Sequence, residues 1–251
     1  MAGYARPSDS HGAFGELVEL GGAAAAQIAE PSVSIELARG ATWQAAPSSD
    51  QPLLSVEEGF VLVCADIRNG CGDEEDLCGD GQRGEGSRRI VIATGESGTF
   101  LVPPALDERL EALTPCRLTL IPADLLRALL ALPEVAAAIS DALAEALRER
   151  QATIRNCAYV RHSERVRGKL LQLARMYGHV VPGGVRIDFP LTNQLLADMV
   201  GSARETVSIA LATFVREGFV HRDQRSYVLR IDAQDLGPVD VPAESRRLVH
   251  A

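Results

Sequence analysis

The sequence predicts an α+β fold: a strand-rich N-terminal part, one long helix, and a C-terminal pair of short helices closed by a β-hairpin. Two observations carry the prediction. Between Val33 and Ile121 the apolar and β-branched runs VSIELARGATW, LLSVEEGFVLVCADI, RIVIATGESGTFLV and CRLTLI are separated by Gly-, Pro- and acid-rich breaks, as strands are. After Pro122 the apolar residues recur at steps of three and four, as in helices.

Taken in order, residues 1–30 are small, Ala- and Gly-rich and weakly patterned, and read as a mobile arm in which ELVELGGAAAAQIAE can form a short helix. Residues 31–132 are the strand-rich domain, with Gly59 suited to a turn between strands. Inside it, RNGCGDEEDLCGDGQRGEGSRR has no apolar periodicity and much Gly and acid, so a long exposed loop is expected there. Arg109 lies between acids in a segment that looks helical. ADLLRALLALP reads as a short helix. Residues 133–162 read as a long one, with Pro133 at its first turn. Its apolar line, Ile139, Leu143, Leu147, Ile154 and Cys157, is interrupted by Arg150 and makes a narrow seam rather than a broad core face. Such a seam suits a partner helix, or packing within its own domain. Ser163 can cap VRGKLLQLARMYG, which opens a C-terminal domain spanning residues 163–235, and residues 236–251 read as a frayed tail.

The most informative stretch is LTNQLLADMVGSARETVSIALATFVREG, from Leu191 to Gly218. Thr192 is an N-cap residue, and Leu195, Leu196, Met199 and Val200 form the buried face of a first helix that Gly201 ends. Ser202 is expected to cap a second helix, which buries Val207, Ala210, Leu211, Phe214 and Val215 and leaves Arg204, Glu205 and Ser208 on its other face. This is the layout of a helix-turn-helix, whose second helix enters the DNA major groove, where Arg pairs with guanine and Glu accepts from cytosine N4. The following FVHRDQRSYVLRI reads as a hairpin, the wing of a winged helix.

Composition agrees with a DNA reader once the charge is divided. Of the net −9, residues 163–235 hold ten Lys/Arg against eight Asp/Glu, a local +2, and the rest of the chain holds −11. Binding depends on the local face, so an acidic domain beside a mildly basic head is acceptable, with modest affinity that falls as salt rises. No apolar run approaches the ~20 residues of a membrane span, and the first residues lack an apolar centre after a basic start. The expected compartment is the cytoplasm.

RETVSIALATFVREGFV, with LTNQLLADMVGSA before it, closely resembles the C-terminal domain of the CRP/FNR family of bacterial transcription regulators. The resemblance is specific from about Ser163 to Ile231 and continues more weakly back to about Leu53. It implies a β-roll of the cyclic-nucleotide-binding type over residues 31–132, a dimerisation helix over 133–162 with Ile139, Leu143, Leu147, Ile154 and Cys157 at the interface, and a winged helix-turn-helix over 163–235. It further implies a homodimer on double-stranded DNA with RNA polymerase as a partner, and no membrane. Arg204, Glu205 and Ser208 would read bases, while Thr192, Ser202, Thr206, Arg222 and Arg225 would hold the backbone. Ile209 departs from the family, which often carries a second base-reading Arg there.

The resemblance also supplies a test of the ligand. Nucleotide-binding members hold a cyclic phosphate with a helix N-terminus, a Glu and an Arg–Ser pair. In TGESGTFLVPPALDERLEAL, Glu96 and Gly98 look like a remnant of that cassette, but no Arg–Ser pair follows and the loop is shortened. Where cyclic-AMP receptors carry a Thr–Ser pair, this chain has Arg150 and Gln151. Cyclic AMP is therefore not the expected effector, and no cofactor is implied. Of the cysteines, Cys64 and Cys116 read as small core residues and Cys157 as a seam residue. Cys71 and Cys78 share the exposed loop, each followed by Gly, so a disulfide or a metal held with nearby carboxylates is sterically possible, against inert thiols made sluggish by the surrounding acid. No phosphate loop, nucleophile elbow or paired His/carboxylate motif points to an enzyme. A protein-binding adaptor is the remaining alternative, and it would show no salt-dependent duplex binding.

Overall fold

The alternation between Val33 and Ile121 forms eight strands in the computed structural model, which describes residues 13–29, 33–44, 53–68, 87–105, 107–223 and 226–231. A helix precedes them, α1 (Ala13–Ala29). The strands are β1 (Val33–Leu37), β2 (Thr42–Trp43), β3 (Leu53–Glu58), β4 (Phe60–Arg68), β5 (Ser87–Glu96), β6 (Phe100–Leu101), β7 (Glu108–Ala112) and β8 (Cys116–Ile121), followed by α2 (Ala123–Leu130) and α3 (Pro133–Cys157). They pair antiparallel into two four-stranded sheets of order β1-β8-β3-β6 and β2-β7-β4-β5. Alternate residues of both sheets, among them Leu54, Val56, Val63, Leu110 and Leu118, point into one core. Gly59 makes the β3–β4 turn with φ 87°, and a Cβ there would stand 2.3 Å from the Pro115 carbonyl oxygen, so only glycine fits.

Two expectations for this part are corrected. Residues 13–29 are packed and helical, with a kink at Gly22 (φ 60°), rather than a mobile arm: Phe14 and Leu17 are buried with Leu125, Leu129, Val135 and Ile139 in a second core, and the Phe14 N–H donates to Ser55 Oγ at 3.0 Å. Arg109 is on a strand rather than a helix. β7 pairs with β4, which puts Leu110 and Ala112 into the core and Arg109 and Glu111 on the opposite face, a period of two that the local sequence hides. Cys64 and Cys116 are buried, as expected for small core residues. Burial also pushes the Cys116 thiol pKa up. Cys71 and Cys78 lie outside the described residues, as do Arg225 and residues 236–251. Among the described residues, no group of three or more His, Cys, Asp or Glu could hold a metal ion, and no helix is long and apolar enough to cross a membrane.

The chain divides into two compact units, residues 1–150 and 151–251. The division falls inside α3 rather than at the expected 162/163 boundary. The reason is a polar seam in which Asn156 Nδ2 donates to Gln172 Oε1 at 3.1 Å and Gln172 Nε2 donates to Thr153 Oγ1 at 3.3 Å, which folds the last turns of α3 into the second unit. That unit continues with α4 (His162–Tyr177), β9 (Gly178–Val181), β10 (Gly184–Ile187), α5 (Asn193–Val200), α6 (Arg204–Arg216), β11 (Val220–Asp223) and β12 (Ser226–Leu229). α4 starts two residues earlier than a Ser163 cap would place it, after Arg161, so Ser163 does not cap it. β11 and β12 are the expected wing, and they join the β9–β10 hairpin in one sheet of order β11-β12-β10-β9.

The packing of α1 is testable. Leu17, 3% exposed, fills the second core, so Leu17→Ala should lower unfolding stability by about 2 to 4 kcal/mol in a denaturant titration, whereas a loose arm would give no change.

Candidate nucleic-acid interface

α5 begins where its sequence says it should. Thr192 has extended dihedrals, and its Oγ1 accepts from the Leu195 N–H at 3.1 Å, while Leu195, Leu196, Met199 and Val200 are buried. The helix ends at Gly201 in the left-handed region (φ 63°, ψ 42°), and the Ser202 N–H returns to the Ala197 carbonyl at 3.0 Å. The chain then turns sharply into α6, which buries Val207, Ala210, Leu211 and Phe214. Val215, expected in that set, is 49% exposed and lies off the buried face.

Arg204 and Glu205 stand exposed on the first turn of α6, and Ile209, 69% exposed, lies one turn further on. Thr206 is half-buried and Arg222 is exposed on β11. Two expected contacts are placed differently. Ser202 is buried and does not cap α6, whose N-cap is Ala203; its Oγ lies 2.5 Å from His162 Nδ1, turned into the protein instead of outward. Ser208 keeps its place on the α6 face, but its hydroxyl donates to the Arg204 carbonyl at 2.9 Å and accepts from Asn193 Nδ2 at 2.9 Å. Asn193 Oδ1 in turn accepts from the Tyr227 hydroxyl at 2.9 Å. Sequence reasoning missed Asn193, Tyr227 and His162, because none of them breaks or completes a periodic pattern.

The far end of α6 is clamped by Arg167 of α4. Its guanidinium lies 4.8 Å from the Phe214 ring centre and 4.2 Å from that of Phe219, and its Nη2 donates to Glu217 Oε2 at 3.0 Å. Tyr177 and Phe189 stack at 4.9 Å beneath the hairpin.

In the first unit, Arg109, Arg89 and Thr94 are each engaged by a carboxylate. Arg109 Nη1 donates to Asp66 Oδ2 at 2.5 Å, and Arg89 Nη1 donates to both Glu111 carboxylate oxygens at 2.7 Å. Thr94 donates to Glu149 Oε1 at 3.0 Å, joining β5 to α3. Glu96 closes β5 beside the turn at Gly98, and burial raises its pKa from 4.5 to about 7. Of the long-helix seam, Ile139 is buried in its own unit's core and is not available to a partner, while Leu143, Leu147 and Ile154 are 37%, 57% and 69% exposed and Cys157 is exposed.

Comparison with known proteins settles what this head is. The Crp-like helix-turn-helix domain matches residues 164–236, the unit built from α4 to the wing. Residues 164–236 are a Crp-like helix-turn-helix domain. Over 97 residues it is 32% identical to the CRP-like cAMP-activated global transcriptional regulator of Mycobacterium tuberculosis, 39% of this chain and 43% of that one. Over 98 residues it is 32% identical to the global nitrogen regulator of Synechococcus elongatus, 39% of this chain and 44% of that one. The chain thus spans less than half the length of these curated relatives. A CooA variant from Carboxydothermus hydrogenoformans has the same fold over 92% of this chain and 96% of its own, with a TM-score of 0.69 at 19% identity. The fold of this chain is therefore a cyclic-nucleotide-binding-like roll followed by a helix-turn-helix.

The half-buried Glu96 carboxyl of the roll has a measurable signature. Folded Glu96 keeps its proton up to about pH 7, whereas an unfolded Glu releases it near 4.5, so the unfolded state binds fewer protons in that window and stability falls as pH rises through it. Glu96→Gln should match wild type at about pH 4 and exceed it by on the order of 2 to 3 kcal/mol at about pH 8, read by thermal melts. An equal effect at both pH values would show that ionisation of Glu96 is not the cause.

Proposed function

We propose that this chain is a sequence-specific, DNA-binding transcription regulator that acts as a homodimer on an inverted-repeat operator. The observation that carries the reading is the first turn of α6, where Arg204 and Glu205 project from a helix whose opposite side is anchored by Val207, Ala210, Leu211 and Phe214. Arg204 takes a guanine O6 and N7, and Glu205 accepts from a cytosine N4. Ser208 has one lone pair left for a base amine, since its proton is engaged by the Arg204 carbonyl. Ile209 offers only apolar contact to a thymine methyl, so one guanine contact per half-site is lost relative to a second Arg. Thr192, whose hydroxyl proton is not used by its capping bond, and Thr206 and Arg222 hold the phosphates.

The dimer reading rests on the exposed line Leu143, Leu147 and Ile154, which leaves large aliphatic groups in water on one stripe of α3. Two copies of the stripe make an isologous interface, and the two recognition helices then meet half-sites about one helical turn apart. Cyclic AMP is not the effector in this reading. Arg109, the arginine of the stretch TGESGTFLVPPALDERLEAL, is engaged by Asp66, and the helix positions that would face an adenine are Arg150 and Gln151.

Binding selection on random duplexes tests the reading head. Arg204→Ala should cost about 1 to 3 kcal/mol per half-site and flatten the preference at one base pair, while Arg222→Ala should weaken all duplexes alike and lower the salt slope by about one. An unchanged selected motif for Arg204→Ala would reject the assignment. For the dimer, Leu147→Asp with Ile154→Asp should shift sedimentation from dimer to monomer and reduce operator affinity at least tenfold, roughly the consequence of losing the second half-site. A dimer of unchanged stability would place the interface elsewhere.

A further inference from the structure

Three hydrogen bonds run in one direction across the head, and none of the residues that begin them faces solvent fully. The Tyr227 hydroxyl on β12 donates to Asn193 Oδ1, Asn193 Nδ2 donates to Ser208 Oγ, and Ser208 Oγ donates to the Arg204 carbonyl, each at 2.9 Å. Tyr227 is 5% exposed, and burial raises its hydroxyl pKa, so it remains a donor. The series starts on the wing, crosses the first residue of α5 and ends on the backbone of Arg204. All three bonds run in the same sense, so they polarise one another and the series fails as a unit if one is reversed.

We infer that Asn193 is a specificity-determining positioning residue: it sets the rotation of α6 about its axis by fixing Ser208, and through Ser208 the Arg204 backbone, against the wing. The inference rests on the reading of α6 as the base-reading helix. The apolar side of α6 fixes its depth, because Val207, Ala210, Leu211 and Phe214 are buried, but aliphatic packing tolerates small rotations that directional hydrogen bonds do not. Base recognition by a bidentate Arg is sensitive to just such a rotation, since both of its hydrogen bonds must stay in plane with the base edge. Asn193 supplies what neither neighbour can, an acceptor for Tyr227 and a donor for Ser208 on one rigid amide.

Tyr227→Phe removes only the first bond, at a residue whose hydroxyl is turned inward to Asn193. Asn193→Asp keeps the acceptor for Tyr227 but cannot donate, so the Ser208 hydroxyl must swing to the carboxylate and leave the Arg204 carbonyl. The measurement is the ratio of affinities for a duplex carrying the selected inverted repeat and for the same duplex with both half-sites scrambled, read by fluorescence anisotropy. Both variants should lower that ratio, Tyr227→Phe by about three- to tenfold with the scrambled affinity and salt slope unchanged. Binding selection should show the lost preference at the base pairs read by Arg204 and Glu205. A wild-type ratio in both variants overturns the inference, and so does an equal loss on both duplexes, which would mean general loosening. A wild-type protein with no preference for any duplex overturns the DNA-reading assignment along with it, and that failure is visible before any variant is made.

Discussion

The half-burial of α6 is the constraint on which the rest of the head depends. Four side chains, Val207, Ala210, Leu211 and Phe214, are removed from water on one side, and each large one contributes about 1.5 to 3 kcal/mol. The ion pair between Arg167 and Glu217 is partly exposed and adds no more than about 1 kcal/mol, so burial decides where the helix lies and the pair only trims its end. Arg167 does more through its flat guanidinium face, which covers Phe214 and Phe219 and links α4, α6 and the start of the wing. With that side fixed, the exposed first turn is the part of the helix left to present long polar side chains. Gly201 makes this geometry possible, because the left-handed turn brings α6 back across α5 within three residues.

The first unit shows the opposite use of charge. Arg109 and Arg89 lie on the face of the β2-β7-β4-β5 sheet opposite the core, and each holds a carboxylate in a two-oxygen arrangement. Glu111 is partly buried and Asp66 exposed, and the two pairs tie β5 and β4 to β7. Glu96, half-buried at the end of β5, keeps its proton up to about pH 7 because of its desolvation. The roll is built by alternation and turn glycines, and the charged side chains on this face are paired among themselves.

Much of the fold was legible because it rests on local period and punctuation. Thr192, Gly201 and the apolar steps of α5 and α6 each act within a few residues, and the structure places them as the pattern requires. The failures share a cause. β7 looks helical from its acids and leucines, and only its pairing with β4, more than forty residues away in sequence, makes it a strand. Residues 13–29 have weak amphipathic character, and what orders them is the apolar surface of α2 and α3, which cannot be seen from their own sequence. The β9–β10 hairpin is hidden in the same way, because its strands are too short to show an alternation of their own. Ser202 has the composition of an N-cap and still does not cap, because His162 offers its hydroxyl a partner from a different helix.

The polar series through Asn193 was illegible for a deeper reason, which also says why it matters. Hydrophobic patterning carries no direction: it says which side of a helix is covered but not at what rotation within the tolerance of its packing. Hydrogen bonds carry direction but leave no periodic trace, since Tyr227, Asn193 and Ser208 are thirty-four and fifteen residues apart and meet only after three elements have docked. Each such bond contributes on the order of 1 kcal/mol to stability, small beside the burial of α6. Replacing the series by apolar groups would therefore leave the fold in place, while the Arg204 backbone would lose the directional tie that runs to the wing through Ser208 and Asn193. Packing and orientation are set by different residues in this head, the first by the aliphatic side of α6 and the second by polar groups that contribute little to holding it together.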